Sequence, residues 1–326
     1  MVRQPSCFER RCKFPPVAYL SYQQRHFCKK HFLLQFEQRV KRTIREFSML
    51  KKGDRVAVGL SGGKDSTVLL HMLCKLRKAL PFELNAILID EGILGYREYT
   101  VPVAKKECGR LGVLLTIVKF SSKFKTIDSI MESRKAGHAK KGACTYCGVF
   151  RRSLLNLACK KIGANKLAIG HNLDDMAQTV LMNLMRNEPS RLARFGLAGG
   201  LFEDFGFVQR IKPLAQIPER EIALYAALVG IPIHYQECPY AHEAFRQQVR
   251  VLLNSLEEKY PGTKQRIFNS FLSIQRSLEK TARAEPIRAP EKCAQCGEPS
   301  SSRLCMACSL LGEIEASFIN PQTKSP

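Results

Sequence analysis

Apolar residues at Phe32, Phe36, Val40, Ile44 and Phe47 recur at the spacing of one helix face, with basic residues between them, and predict a helix over about 32–50. Lys51-Lys52-Gly53-Asp54 reads as a turn, and Arg55–Leu60 as a short buried strand that runs into a glycine-rich loop. A helix through Val68, Leu69, Met72, Leu73 and Leu76 follows, then a strand over Leu84–Ile89, a helix over about 99–111 and a strand over Val113–Val118. The alternation continues with a helix over about 148–162, a strand over Lys166–Ile169 and a helix over about 173–186. From about 218 the pattern is mostly helical, through 242–282. A proline-rich segment, Glu285–Pro290, then leads to a cysteine-bearing tail. Strands alternating with helices predict parallel βαβ units and a doubly wound α/β sheet, whose ligands bind beyond the carboxyl ends of the strands. The expected division is a small module with its helix over 1–50, the α/β domain over 51–240, a helical extension over 241–285 and a second small module over 286–326.

Charge narrows the partners. Across 326 residues, 52 Lys and Arg stand against 29 Asp and Glu, a net charge of +23. That excess predicts a polyanionic partner, although charge alone does not separate DNA, RNA and acidic membrane. No apolar run approaches the roughly 20 residues of a membrane span, and the opening MVRQPSCFERRCKF lacks the apolar stretch of a signal peptide. The expectation is a cytoplasmic protein without a membrane partner. Thirteen cysteines in such a chain argue for metal ligation or redox chemistry rather than a disulfide scaffold.

Directly after the first sheet strand, Gly59-Leu60-Ser61-Gly62-Gly63-Lys64-Asp65-Ser66 offers unhindered backbone N–H groups at a helix start, which is an anion cradle. Lys64 adds a mobile cation, and Ser61 and Ser66 add hydroxyls. Asp65 beside bound phosphate implies Mg²⁺ or an oriented lysine. A kinase-type loop needs Gly at the position of Val58 and Ser or Thr at that of Asp65, so SGGKDS is a different device. It resembles the pyrophosphate loop of ATP pyrophosphatases, which implies a grip on the β,γ-phosphates of ATP. A second element, Ile169-Gly170-His171-Asn172-Leu173-Asp174-Asp175, ends a strand and starts a helix. Its periodicity puts Asp174 near the apolar stripe, able to face the crevice, and Asp175 away from it as a cap or a solvent-facing group.

Cys144-Thr-Tyr-Cys147 precedes a predicted helix, and Cys238 lies far beyond it in Glu237-Cys238-Pro239. A lone C-x-x-C fits a redox dithiol or half a zinc site, and three thiolates fit a four-iron, four-sulfur cluster with one iron left open. Spacing does not choose between them. The segments IDEGILGYRE (89–98), CTYCGVFRR (144–152), GHNLDDMAQTVLMNLMRNEPSRLAR (170–194) and ECPYAHEAFR (237–246) resemble the tRNA 2-thiouridine synthetases, and more narrowly the cytoplasmic tRNA 2-thiolation proteins that modify the wobble uridine.

The resemblance spans essentially the whole chain and implies a PP-loop, HUP-like (adenine nucleotide alpha hydrolase-like) fold. It also implies a [4Fe–4S] cluster on Cys144, Cys147 and Cys238. ATP is then held by Gly59, Ser61–Ser66, Ile89, Arg151, Gly170 and Asp174. Asp65, Arg151 and Asp174 take catalytic roles. Arg151 stands where relatives acting on the T-loop uridine carry a lysine. As a poor base, it is expected to stabilise phosphate charge rather than move a proton. The implied activity is a tRNA-uridine 2-sulfurtransferase. ATP adenylates O2 of the uridine, and sulfur, brought by a ubiquitin-like carrier protein or as inorganic sulfide, displaces AMP. The implied assembly is a homodimer or a complex with a paralogous subunit. A cluster-free persulfide on Cys144 or Cys147 and another adenylating PP-loop synthetase stay open as rivals.

Each end of the chain carries four further metal-type residues. Cys293-x₂-Cys296-x₈-Cys305-x₂-Cys308 suits tetrahedral Zn²⁺, and Cys7-x₄-Cys12-x₁₅-Cys28-x₂-His31 suits a second Zn²⁺, with the wider first spacing placing its first pair in question. Arg10, Arg11, Lys13, Arg25, Lys29 and Lys30 lie in the first module, where they suit contacts to a phosphate backbone. Cys74, Cys108 and Cys159 fall in helical patterns and are expected in the core.

Overall fold

The computed structural model describes residues 6–135, 137, 139–198, 206–232, 238–241, 245–284 and 291–319; the proline-rich segment Glu285–Pro290 and Glu237 lie outside them. A short antiparallel hairpin, β1 (Ala18–Leu20) and β2 (Arg25–Phe27), opens into α1 (Lys29–Glu46). The central unit then runs β3 (Arg55–Gly59), α2 (Lys64–Leu76), β4 (Glu83–Asp90), α3 (Arg97–Leu111), β5 (Leu114–Lys119), α4 (Ile127–Lys135), α5 (Ala143–Lys161), β6 (Lys166–Ile169), α6 (Leu173–Met185), α7 (Pro189–Ala193) and β7 (Gln209–Ile211). Helices α8 (Glu219–Val229), α9 (Phe245–Lys259) and α10 (Thr263–Ala284) follow. The tail forms a two-stranded sheet, β8 (Glu291–Lys292) and β9 (Pro299–Ser300), and helix α11 (Met306–Ile319). No helix among the described residues is long and apolar enough to cross a membrane.

The five-stranded sheet has the order β5-β4-β3-β6-β7 and is parallel throughout. Its strands are covered on both faces, so each reads as an apolar run and the period of two decides which side chain enters which layer. Val56 and Val58 of β3 pack with Leu69, Leu73 and Phe36 on the α1–α2 side, while Ala57 packs with Phe150 and Leu154 on the α5 side. Leu310 and Ile314 of α11 join the α5 layer. Strand order reverses between β3 and β6, where the register sets Gly59 opposite both Ile87 and Ile169. The loop after β3 and the start of α6 flank that crevice, the place where such sheets bind ligands.

One boundary differs from the sequence reading in a way that touches the site. The helix expected over 148–162 already begins at Ala143, so Cys144 and Cys147 lie in its first two turns instead of ahead of it. Tyr146, Phe150 and Leu154, one turn apart, are all buried, and that stripe carries the helix through residues of modest helix propensity. Elements α4, α7 and β7 were not separated by the pattern. Strand β7 has only three residues and α7 five, too few to show a period.

Candidate functional site: a loop, a cavity and three cysteines

Strand β3 delivers the chain to Gly62, whose φ of 80° is open to glycine; a Cβ there would lie 2.5 Å from the Thr100 carbonyl oxygen. Gly63 caps α2 with no side chain on its N–H groups, so the first turn of α2 keeps donors for an anion. Ser66 closes the loop. Its hydroxyl accepts from the Ser61 N–H (3.1 Å), lies 3.0 Å from the Ser61 hydroxyl and donates to the Gly63 carbonyl (3.1 Å). Gly170 lets β6 run close beside this turn; a Cβ would stand 3.0 Å from the Ser66 nitrogen.

Beside the loop lies a cavity of about 320 Å³, lined by Gly59, Ser61, Asp65, Ser66, Ile89, Arg151 and Gly170 of the expected ATP set. Ile87, Ile169 and Leu155 supply further apolar wall. Glu91, just past β4, is fully buried there and was not assigned a role from sequence. It pairs with Arg97 Nε at 2.5 Å and Arg151 at 2.8 Å, and Arg97 also donates to the Ser61 carbonyl at 2.7 Å. Burial raises the Glu91 carboxyl, but Arg151 and Arg97 outweigh it and hold its pKa below the usual carboxylate value.

Lys64 and Asp174 line an adjoining cavity of about 560 Å³ instead. Lys64 contacts Glu219 at 2.6 Å and Asp65 at 3.2 Å; burial disfavours its charge, yet these carboxylates raise its pKa. Burial also raises the Asp65 carboxyl, with Lys64 opposing. Asp174 is buried; it accepts from the Glu219 N–H at 2.8 Å and pairs with Lys264 of α10. Its carboxylate thus holds α6, α8 and α10 together, on the side of the loop away from Ile89 and Arg151. Asp175 forms a capping box with Asn172, as the periodicity suggested. Glu219 and Lys264 carried no sequence signal, because their helices reach the loop only through the fold.

The cysteines adjoin the first cavity. Cys144 is exposed, one helical turn from half-buried Cys147, and its Sγ lies 3.7 Å from the Tyr240 carbonyl oxygen. Tyr240 donates to Asp128 at 2.8 Å, which pins the turn bearing Cys238 against α4. Arg151 donates to Cys147 Sγ at 2.9 Å, so one guanidinium touches both a cysteine and the cavity's buried carboxylate. Burial pushes the Cys147 thiol up to about 11, with Arg151 opposing; Glu91 and the nearby Cys238 add to the rise. Cys74, Cys108 and Cys159 are buried in α2, α3 and α5.

At both ends the four expected ligands converge. Donor atoms of Cys7, Cys12, Cys28 and His31 lie within 4.8 Å of one another, as do those of Cys293, Cys296, Cys305 and Cys308. Backbone N–H groups of Cys28 and Cys305 point at the sulfurs of Cys7 (3.4 Å) and Cys293 (3.2 Å), a pattern that favours thiolates. Each set has the donors and closeness for one tetrahedral ion.

The profile of the PP-loop domain family matches residues 33–256. The tRNA 2-thiolation protein NcsA of Haloferax volcanii is 38% identical over 319 residues, covering 94% of this chain and 98% of the relative. The cytoplasmic tRNA 2-thiolation protein 1 of Bos taurus is 38% identical over 288 residues, covering 87% and 81%. Among solved structures, the U34-tRNA thiolase NcsA from Methanococcus maripaludis with its [4Fe-4S] cluster superposes with a TM-score of 0.78 at 34% identity, over 96% of this chain and 97% of that one. With the domain model matched over residues 33–256 and relatives matched over nearly the full length, the chain belongs to the PP-loop family of tRNA 2-thiolation proteins.

Proposed function

We propose that the protein is a cytoplasmic tRNA-uridine 2-sulfurtransferase that uses ATP to activate the wobble uridine. The observation that carries this reading is Arg151, 2.9 Å from Cys147 Sγ and 2.8 Å from Glu91 in the wall of the nucleotide cavity. It supports the reading because one side chain reaches both the cavity beside the loop and Cys147.

ATP takes the cavity, its β,γ-phosphates on the α2 N-terminus with Lys64, whose resting partners Asp65 and Glu219 it leaves to meet the phosphates. Asp65 would be the residue to hold Mg²⁺, which would supply positive charge against the phosphates. Uridine O2 attacks the α-phosphorus and the bond to pyrophosphate breaks. Arg151, fixed by Glu91, is placed to stabilise the charge that develops on the phosphoryl oxygens; burial opposes its charge, but Glu91 raises its pKa, so it stays a cation throughout. Hydrosulfide then adds at C2, AMP departs with the original oxygen, and the sulfur's proton is released.

Cys144, Cys147 and Cys238 suit a [4Fe–4S] cluster. Thiolates on separate irons sit farther apart than four around one zinc, and every other cysteine belongs to a terminal set or the core. When bound, such a cluster supplies an open iron for the incoming sulfide. Both terminal sets would hold Zn²⁺ as closed, structural sites. The sulfur reaches the site as inorganic sulfide or from a carrier protein, and the chain works as a homodimer or with a paralogous subunit.

Mass spectrometry of tRNA nucleosides tests the reading. Cells whose only copy is Cys144→Ala should lack 2-thiouridine at the wobble position; wild-type levels would end the cysteine-dependent mechanism.

A further inference from the structure

Charges around the nucleotide cavity do not balance. Arg97, Arg151, Arg152 and Arg210 line it against the carboxylates of Asp65 and Glu91. Glu91 is taken up by Arg97 and Arg151, and Asp65 lies beside Lys64. Arg152 and Arg210 are left without a carboxylate partner among the described residues. Arg210 sits half-buried on edge strand β7; just past the strand's end comes buried Lys212, over the ring of Phe195 (4.4 Å to the centroid) and bonded to the Gly196 carbonyl. Burial first and repulsion from Arg152 second bring Arg210 down to about 10, and burial first and Arg210 second bring Lys212 down to about 7. Cations held together without a counter-ion raise the free energy of the empty site, and a bound anion relieves it.

The series also has a direction. Arg210 is half-buried in the cavity wall, Arg152 is exposed at its rim, and Arg152 in turn feels Arg191 on α7, which is 60% exposed and, among the described residues, paired only with Glu188 at the start of its own helix, at 3.1 Å. A mononucleotide seated on the loop has no charge to offer the outer members. A polymer with a phosphate at every residue does. We propose that Arg210, Arg152 and Arg191, backed by Lys212, form a track for phosphodiester groups of the acceptor strand, leading the target nucleotide into the cavity from the β7 side. This deepens the tRNA-thiolase reading and rests on it.

The test compares wild type, Arg152→Gln/Arg210→Gln and Arg152→Lys/Arg210→Lys in the full-length protein. Dissociation constants are measured for an unmodified tRNA transcript over a series of KCl concentrations, and for a non-hydrolysable ATP analogue. The glutamine variant should bind tRNA about 10-fold or more weakly, with the salt slope lowered by about 1 per lost contact, and should lose far less affinity for the analogue than for tRNA. The lysine variant should recover the slope. Weakened analogue binding with unchanged tRNA binding would overturn the track and assign the arginines to ATP's α-phosphate. Unchanged binding of both would overturn it as well. Failure of wild type itself to bind tRNA would instead end the underlying thiolase reading.

Discussion

Lys212 brings a charge into an apolar setting, 7% exposed and, through burial first and Arg210 second, with its pKa lowered from 10.5 to about 7. The folded chain therefore releases this proton before the unfolded chain does. Between about pH 7 and the ordinary lysine value the unfolded state binds more protons, so stability from this group rises with pH, and the cost is fully present below about pH 7. Urea unfolding at pH 6.5 and pH 9 should show wild type gaining about 2 kcal/mol relative to Lys212→Met over that interval. An unchanged difference would show that Lys212 keeps an ordinary pKa. At this scale the loop residues were legible, because a glycine pair ahead of Lys-Asp-Ser has a local reason to exist. Glu91 was not. Its importance comes from Arg97 and Arg151 closing on it, and only Arg97 is near it in sequence.

Between elements, α1 docks on α8 through Arg39 and Glu221, 2.6 Å apart and almost wholly buried, with Tyr22 also donating to Glu221 at 2.8 Å. Helix α8 begins at Glu219, whose N–H meets Asp174 and whose carboxylate meets Lys64, so this docking sets one wall of the loop. Glu221→Ala leaves the Arg39 charge buried and unpaired and should cost about 3–5 kcal/mol by urea unfolding. A loss under 1 kcal/mol would mean that water reaches the guanidinium. The long amphipathic helices and apolar strands were readable from their periods. The early start of α5 was missed because a C-T-Y-C-G stretch has little helical pattern of its own and gains its helix from Tyr146 and Phe150 packing.

For the whole molecule, the two terminal metal sets frame the α/β unit. The C-terminal one is tied to α5: Glu298 pairs with Lys160 at 2.8 Å and accepts from Asn156 at 2.7 Å, and Leu310 and Ile314 pack in the α5 layer. Purified protein should contain two zinc ions per chain. Cys296→Ser should leave one and expose the segment from 291 to 319 to protease, while binding of an ATP analogue persists. Two ions retained in the variant would contradict the four-cysteine site.

The chain's own sequence determined that a glycine-rich loop follows the first sheet strand, that the core is a parallel α/β sheet and that four metal-type residues gather near each end. All of these rest on spacing along a short stretch or on a repeating period. Tertiary structure alone decided that Asp174 joins Lys264 and the start of α8, that Glu91 anchors Arg151 against Cys147, and that Arg152 and Arg210 share a wall. These partners lie on different elements, and a charge acquires its neighbour, its burial and its pKa only when the helices and strands carrying it are packed.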